Sequence, residues 1–163
     1  MLSIPKGKYP LWHSFGLQIE SDLHLSPAAL YHLQGPNGSG KSSFISQILI
    51  PKLRETDALL LHFEQDTHLQ LQALRAWAAI FSKSNRITNE AEMVDFLLQD
   101  LHHTYLMQPK PIWIVADELY HLQRLSQLPL PAGLIYCAHH QELQGSRPIH
   151  FEPISSTQSR VYA

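Results

Sequence analysis

With 163 residues, 12 basic and 14 acidic side chains, the chain carries a formal net charge of −2. This near-neutral balance does not favour nucleic acid as the main partner. The length predicts one domain over residues 1–163 with its own core, and the single Cys137 excludes an internal disulfide and fits a reducing compartment.

Membrane and metal signals are weak in the sequence. No apolar run approaches the roughly 20 residues that cross a bilayer, and residues 1–9 lack the apolar stretch of a signal peptide. We therefore expect a cytoplasmic protein without a membrane span of its own. The 11 histidines are scattered without the spacing of a zinc site, so a histidine-bound metal is not expected.

The chain begins with short strand patterns. Residues 11–19 alternate loosely and predict a strand, with residues 22–25 as its partner and a turn at Ser26-Pro27. Residues 28–33 are short and largely apolar, which predicts a buried strand.

A glycine-rich motif follows that strand directly. The stretch Gly-Pro-Asn-Gly-Ser-Gly-Lys-Ser at 35–42 fits the phosphate-binding loop G-x-x-x-x-G-K-[ST]. Glycines let backbone N–H groups approach phosphate oxygens, the lysine supplies a positive charge, and the serine offers a hydroxyl to Mg²⁺. The predicted nucleotide-binding residues are Gly35, Pro36, Asn37, Gly38, Ser39, Gly40, Lys41, Ser42 and Ser43.

A helix and a strand are predicted after the loop. Apolar residues at 44, 45, 48 and 49 have helical spacing and predict a helix over 41–53, which Pro51 disturbs. Residues 57–63 predict a buried strand that ends at Glu64-Gln65-Asp66.

Two helices are predicted within a helical segment over residues 67–107. The first covers 67–82, and the second covers 89–106, with Asn89 and Glu92 as a capping pair. The apolar face of the first contains Leu69, Leu71, Leu74, Trp77, Ala78 and Phe81, and that of the second contains Met93, Phe96, Leu97, Leu101 and Tyr105.

The last third of the chain carries two core strands. The continuous apolar run 112–116 is typical of a central parallel strand, and it ends in Asp117-Glu118. A short helix is predicted over 119–126, and a second core strand over 133–138 ends in His139-His140. Residues 148–151 and 160–162 predict a final strand pair.

Strands that alternate with helices predict an α/β fold with a mainly parallel central sheet flanked by helices, and with small antiparallel strands toward the termini. Polar residues follow the strand ends at 65, 117–118 and 139, where ligands bind in such sheets.

These polar residues suggest a catalytic centre beside the loop. The Asp117 carboxylate, with Ser42, can hold Mg²⁺, and Glu118 can polarise a water as a general base. Gln65 can position that water or touch the metal, and His139 can bond to a γ-phosphate, with His140 competing for the same role. Each of these residues also has a purely structural interpretation. Asp117-Glu118 can simply begin a helix, Gln65 can be a solvated loop amide, and His139 and His140 can be boundary histidines.

Three aromatic residues precede the loop. Tyr9, Trp12 or Phe15 can stack on a nucleotide base, although a core or surface aromatic is the commoner reading of each.

The order of these motifs resembles the ABC-type ATPases. The stretch 35–42 corresponds to their Walker A motif, Gln65 to the Q-loop, Asp117-Glu118 to Walker B and His139 to the switch histidine. The resemblance implies a P-loop NTPase fold, ATP and Mg²⁺ as ligands, Glu118 as the catalytic carboxylate, and ATP hydrolysis. It also implies a protein partner: a second copy in an ATP-dependent dimer, or a membrane permease that would hold a transporter component at the membrane.

The chain departs from that family at its signature motif. Residues 87–92 stand where the family has Leu-Ser-Gly-Gly-Gln, and both glycines are missing. Thr88 can keep a helix-capping role, whereas Glu90 and Glu92 would repel a phosphate unless they face solvent.

Three functions remain open at this stage. The first is an ATP-binding, ATP-hydrolysing ABC-like subunit that works with a partner. The second is a non-catalytic, nucleotide-dependent interaction module. The third is a small-molecule kinase, which the wide separation of Arg124, Arg147 and Arg160 disfavours.

Overall fold

The computed structural model describes residues 1–12, 14–80, 87–126, 129–138 and 141–163. The strands are β1 (Leu2–Ile4), β2 (Gly7–Pro10), β3 (Gly16–Ile19), β4 (Leu23–Leu25), β5 (Leu30–Gln34), β6 (Leu59–Phe63), β7 (Ile112–Asp117), β8 (Ala132–Cys137), β9 (Arg147–Ser155) and β10 (Gln158–Tyr162). The helices are α1 (Lys41–Phe44), α2 (Ile50–Arg54), α3 (Thr67–Ile80), α4 (Glu90–Met107) and α5 (Leu122–Ser126), with a π-helical turn at Ile45–Leu49 between α1 and α2.

Eight strands form one sheet in the order β2-β3-β10-β9-β5-β8-β7-β6. The five strands from β9 to β6 run parallel, whereas β2 with β3 and β9 with β10 pair antiparallel. A separate antiparallel pair joins β1 to β4. The predicted mixed α/β architecture, with a mainly parallel central sheet, flanking helices and small antiparallel strands, is confirmed.

The central strands are apolar because both of their faces are covered. Every residue of β7 is buried. On one face, the helical stretch after β5 packs Phe44 and Leu49 into the core, and on the other α4 contributes Met93 and Leu101. The two clusters fix the sheet between helical layers, and its carboxyl edge lies where the predicted polar residues emerge.

The predicted pairing at the start of the chain was wrong. Residues 11, 12, 14 and 15 lie in the connection between β2 and β3, which pair with each other from Gly7 with Ile19 to Pro10 with Gly16. The Leu23–Leu25 strand pairs with β1 instead. The turn at Ser26-Pro27 is present, with the Ala29 N–H donating to the Ser26 carbonyl.

Pro51 does not end the helix after the loop. Proline has no N–H and its ring crowds the carbonyl four residues earlier, and here the π-helical turn comes before it. Pro51 thereby enters the first turn of α2, where a missing N–H costs little.

Helix α3 is less buried than its pattern predicts. Leu71 is buried, but Leu69 and Trp77 are 60% and 39% exposed. Trp77 contacts Phe96 of α4 edge to face, with ring centroids 6.1 Å apart. The apolar face predicted for α4 is confirmed, since its five residues are buried or packed against the core. The side chains of Ala78 and Phe81 lie outside the described part of the chain.

Candidate nucleotide site

The loop after β5 delivers a lysine to the carboxyl edge of the sheet. Residues 35–40 join β5 to α1, which begins at Lys41. The Lys41 ammonium is buried and donates to the carbonyls of Gly35, at 2.7 Å, and Pro36, at 2.9 Å. An ammonium has three donors, so these bonds anchor the side chain and leave one donor for a ligand.

The loop conformation depends on glycine at two positions. Gly38 has φ of 77° and Gly40, which precedes α1, has φ of 92°, a region that costs other residues free energy. A Cβ on Gly40 would also lie 2.8 Å from the Phe15 ring. The loop therefore presents its backbone closely packed against the β2–β3 connection.

Asp117 lies at the end of β7 as a buried carboxylate. It is 5% exposed, and its Oδ1 has no hydrogen-bond partner within the described residues. Burial raises the pKa of Asp117, and a hydrogen bond from Ser42 partly offsets that rise, with Lys41 acting in the same direction. A buried, incompletely bonded carboxylate beside the loop hydroxyl is a suitable oxygen ligand for a divalent cation.

Glu118 follows in a conformation that is rare for a glutamate. Its φ of 59° makes it the one non-glycine residue at positive φ in the described ranges. Its N–H donates to the Cys137 carbonyl at 2.9 Å, and its Oε2 accepts from Gln65 Nε2 at 2.9 Å. Two neighbouring strands and the loop after β6 thus aim this carboxylate.

Lys41 and Glu118 line one pocket of about 470 Å³, and Asp117 is not among its lining residues. Lys41, Ser42, Gln65 and Glu118 were all predicted as site residues, and the structure brings them together there. The pocket is lined by Trp12, Phe15, Asn37, Gly38, Gly40, Lys41, Ser42, Ser43, Gln65 and Glu118.

Two of the three candidate aromatics belong to this pocket. Trp12 is 61% exposed at its rim, and Phe15 lines it beside Gly40. Tyr9 does not: its hydroxyl donates to the Pro5 carbonyl at 2.7 Å. The β2–β3 connection therefore offers aromatic surface next to the loop.

The residues fit a nucleoside triphosphate with Mg²⁺. The loop glycines remove side chains from the surface that would meet phosphates, and Lys41 supplies a fixed positive charge. The orphaned Asp117 oxygen and the Ser42 hydroxyl supply oxygen ligands of the kind that Mg²⁺ takes. Among the described residues as a whole, no group of three or more His, Cys, Asp or Glu side chains could hold a metal ion.

The predicted site residues His139 and His140 lie outside the described ranges.

Two of the three arginines whose separation disfavours a kinase are held in ion pairs. Arg124 pairs with Asp95, and Arg160 pairs with Glu152 at 2.6 Å.

Residues at the start of α4 hydrogen-bond to one another. The Asn89 side chain accepts from the Glu92 N–H at 2.9 Å, which confirms the predicted capping pair. Thr88 is one residue before the cap and donates to Glu92 from both its N–H and its hydroxyl, each at 2.7 Å. Glu90 accepts from the Thr67 hydroxyl at 3.0 Å and from the Tyr120 N–H at 3.2 Å. The glutamates thus bond within the chain.

Sequence reasoning missed a buried polar pair, His32 and Tyr136, behind the loop. His32 is 8% exposed in the strand that leads to the phosphate loop. The available signal was its position in an otherwise apolar run, Leu30-Tyr31-His32-Leu33, where a polar ring needs a partner.

Solved structures with a similar fold come from ribosome-associated assemblies. One is a chain in a model of ribosome-bound archaeal Pelota and ABCE1, 18% identical, with a TM-score of 0.57, covering 99% of this chain and 34% of that chain. Another is a chain in the complex of archaeal ribosomal stalk protein aP1 and the ribosome recycling factor aABCE1, 16% identical, with a TM-score of 0.52, covering 95% of this chain and 38% of that chain.

This chain spans about a third of the length of those matched chains. No protein-family model and no curated protein matches the sequence. Within the described residues, no helix combines the length and apolar character needed to cross a bilayer. At this identity the comparisons show a shared fold.

Proposed function

We propose that the chain is an ATP-binding and ATP-hydrolysing subunit of ABC-like type with a P-loop NTPase fold. The observation that carries the proposal is the convergence of Lys41, Ser42, Gln65 and Glu118 on one pocket. The fold shared with chains of ABCE1-containing complexes supports it.

Each group has a part in nucleotide binding. The loop backbone from Gly38 to Ser42 and the Lys41 ammonium bind the phosphates. Ser42 and Asp117 hold Mg²⁺, which neutralises phosphate charge and orients the reacting groups. Trp12 and Phe15 supply the surface on which the base stacks.

Hydrolysis requires a base aimed at water. Glu118 accepts a proton from the attacking water, the water oxygen bonds to the γ-phosphorus, and the bond from that phosphorus to the β–γ bridging oxygen breaks. Gln65, bonded to Glu118 at 2.9 Å, orients the carboxylate. We propose His139 as a further contact to the γ-phosphate.

A protein partner is part of the proposal. The similar structures are of assemblies with Pelota, the ribosome and a stalk protein, which supports a protein partner in general and gives no preference to a membrane permease. The acidic residues Glu90 and Glu92 in the first turn of α4 support a partner of a different sequence over a second copy.

The test is release of inorganic phosphate from Mg-ATP by the wild type, Glu118→Gln and Glu55→Gln. Glu55 is exposed at the end of α2, outside the pocket, and serves as the matched control. We expect turnover by the wild type and by Glu55→Gln, and a loss of at least about 100-fold in Glu118→Gln. A wild type that binds ATP but releases no phosphate would establish the non-catalytic module instead.

A further inference from the structure

Two neighbouring strands carry a stacked pair of buried polar rings. His32 on β5 and Tyr136 on β8 are direct partners in the parallel register. Their ring centroids are 4.6 Å apart and their planes differ by 9°. Tyr136 is fully buried. Polar rings at the centre of a sheet are costly unless they are hydrogen-bonded, so their partners indicate what they do.

The hydrogen bonds of His32 define its tautomer. Its Nε2 lies 3.2 Å from the Ala138 carbonyl oxygen, and its Nδ1 lies 3.1 Å from the Gln34 amide nitrogen. A carbonyl only accepts and an amide NH₂ only donates, so the hydrogen is on Nε2. His32 therefore joins Gln34, which directly precedes the phosphate loop, to the residue that follows β8.

The Tyr136 hydroxyl hydrogen-bonds to Leu143 and Ser146, which follow β8 in the chain. It accepts from the Leu143 N–H at 2.9 Å and lies 2.8 Å from Ser146 Oγ. Ser146 Oγ donates to the Leu143 carbonyl at 2.7 Å, so the tyrosine hydrogen points to Ser146. The three groups close a ring of hydrogen bonds.

We propose that His32 and Tyr136 are positioning residues of the proposed ATPase. Through Ala138 at one end and through Leu143 and Ser146 at the other, they hold the segment made of residue 138 and residues 141–146 against the strand that enters the loop. The inference rests on the proposed function, and it names side chains that act on the site without lining its pocket.

The held segment is connected to the catalytic carboxylate. Cys137, next to Ala138 in the chain, accepts the Glu118 N–H at 2.9 Å. Gln141 Nε2 donates to the Tyr120 carbonyl at 3.4 Å, two residues beyond Glu118. A shift of the segment would therefore move the backbone that holds Glu118 at its positive φ.

The experiment compares Tyr136→Phe and His32→Phe with a matched control, Tyr31→Phe. Tyr136→Phe removes only the hydroxyl, and His32→Phe removes the two hydrogen bonds of the imidazole while a larger aromatic ring remains for stacking. Tyr31 is on the same strand as His32, is equally buried, and accepts a backbone N–H bond from Ser26 at 2.7 Å, but it faces the other side of the sheet. All four proteins are assayed for Mg-ATP affinity, turnover and hydrogen exchange at Leu143.

We expect kcat to fall about tenfold in Tyr136→Phe and in His32→Phe, because small displacements of catalytic groups are costly. The Kd for Mg-ATP should stay within about twofold, since the loop itself is unchanged. The Leu143 amide should exchange faster in Tyr136→Phe. Tyr31→Phe should lose comparable thermal stability but keep its kcat.

The outcomes separate the two claims. A wild type without ATP binding or turnover overturns the proposed function and the inference with it. An active wild type whose Tyr136→Phe and His32→Phe variants turn over like Tyr31→Phe overturns only the inference. Unchanged exchange at Leu143 in Tyr136→Phe also overturns it, because the hydroxyl would then not hold that amide.

Discussion

Glu118 combines the proposed catalytic carboxylate with a strained backbone. A positive φ costs a glutamate about 1 kcal/mol or more, and the conformation is maintained by the bonds to Cys137 and Gln65. Strain at a residue that also lines the pocket indicates that the orientation of its side chain matters more than its contribution to stability.

The strain predicts an order of stability among Glu118 variants. Glu118→Ala and Glu118→Gly both lose the bond to Gln65, but only glycine relaxes at φ of 59°. Glu118→Gly should therefore be more stable than Glu118→Ala by about 1 kcal/mol. Urea unfolding measures the difference, and an alanine variant at least as stable as the glycine variant would contradict the strain.

The buried Asp117 carboxylate predicts that the difference in stability between the wild type and Asp117→Asn depends on pH. Because burial raises its pKa, the folded state loses stability as pH rises from the ordinary carboxyl range through the folded pKa. Asp117→Asn has no such titration. The stability of the variant should therefore rise relative to that of the wild type as pH rises through the folded pKa of Asp117.

The measurement for Asp117 is urea unfolding of both proteins at pH 4.5 and 7.5 without nucleotide, followed by thermal shifts with Mg-ATP. We expect Mg-ATP to stabilise the wild type and not Asp117→Asn. A stability difference that does not change with pH would rule out a buried, titrating carboxylate at this position.

The sequence alone was sufficient to select candidate site residues whose chemistry follows from the residue type. Lys41, Asp117 and Glu118 were identified because their spacing from glycines and apolar strands is visible along the chain. The hydrogen bonds of His32 and Glu90 were not predicted, because each depends on a partner that only the folded chain brings near. The positive φ of Glu118 has no sequence signal, since glycine or asparagine is the residue expected there.

At the scale of elements, the start of α4 follows the capping rules that can be applied to the local sequence. Asn89 caps the helix, and Glu92 accepts from Thr88, so the helix begins where the pattern predicted. These bonds lower the pKa of Glu92, so its contribution to stability is present above the ordinary glutamate range and is lost as pH falls through its folded pKa.

Asn89→Ala should destabilise the protein by about 1 kcal/mol, because the Glu92 N–H loses its acceptor. Asn89→Asp keeps an acceptor and serves as the matched control, with stability close to that of the wild type. Chemical unfolding monitored by far-UV circular dichroism is the readout. Equal stabilities of the alanine and aspartate variants would show that the cap contributes nothing.

Long-range pairing limited the prediction of elements. Strands β5 to β8 were located from their apolar runs, since the buried centre of a parallel sheet selects such residues. The partner of β3 could not be found locally, because β3 pairs with β10 at the other end of the chain. Residues 11–19 were predicted as one strand, whereas only Gly16–Ile19 form one.

At the scale of the whole molecule, strand order builds the site. Strand β8 lies between β5 and β7, so the phosphate loop and Asp117-Glu118 flank the end of an intervening strand. The pocket collects groups from the four connecting segments that follow β2, β5, β6 and β7.

The α4 N-terminus predicts the response of the oligomeric state to nucleotide. Because Glu90 and Glu92 lie at that helix start and the Glu92 N–H already bonds to Asn89, the start presents acidic side chains to a second copy. We expect Glu118→Gln to remain monomeric with Mg-ATP in light scattering. A doubling of mass on addition of Mg-ATP would contradict this expectation and show that residues 88–92 serve as a signature.

The most direct test of the central claim is the affinity for Mg-ATP of the wild type, Lys41→Ala and Lys52→Ala, measured by calorimetry. Lys52 lies in α2 outside the pocket and controls for the loss of a positive charge. The account predicts that the wild type and Lys52→Ala bind alike, and that Lys41→Ala binds at least about tenfold more weakly while remaining folded. A wild type that does not bind Mg-ATP, or a folded Lys41→Ala that binds it equally well, would contradict the account.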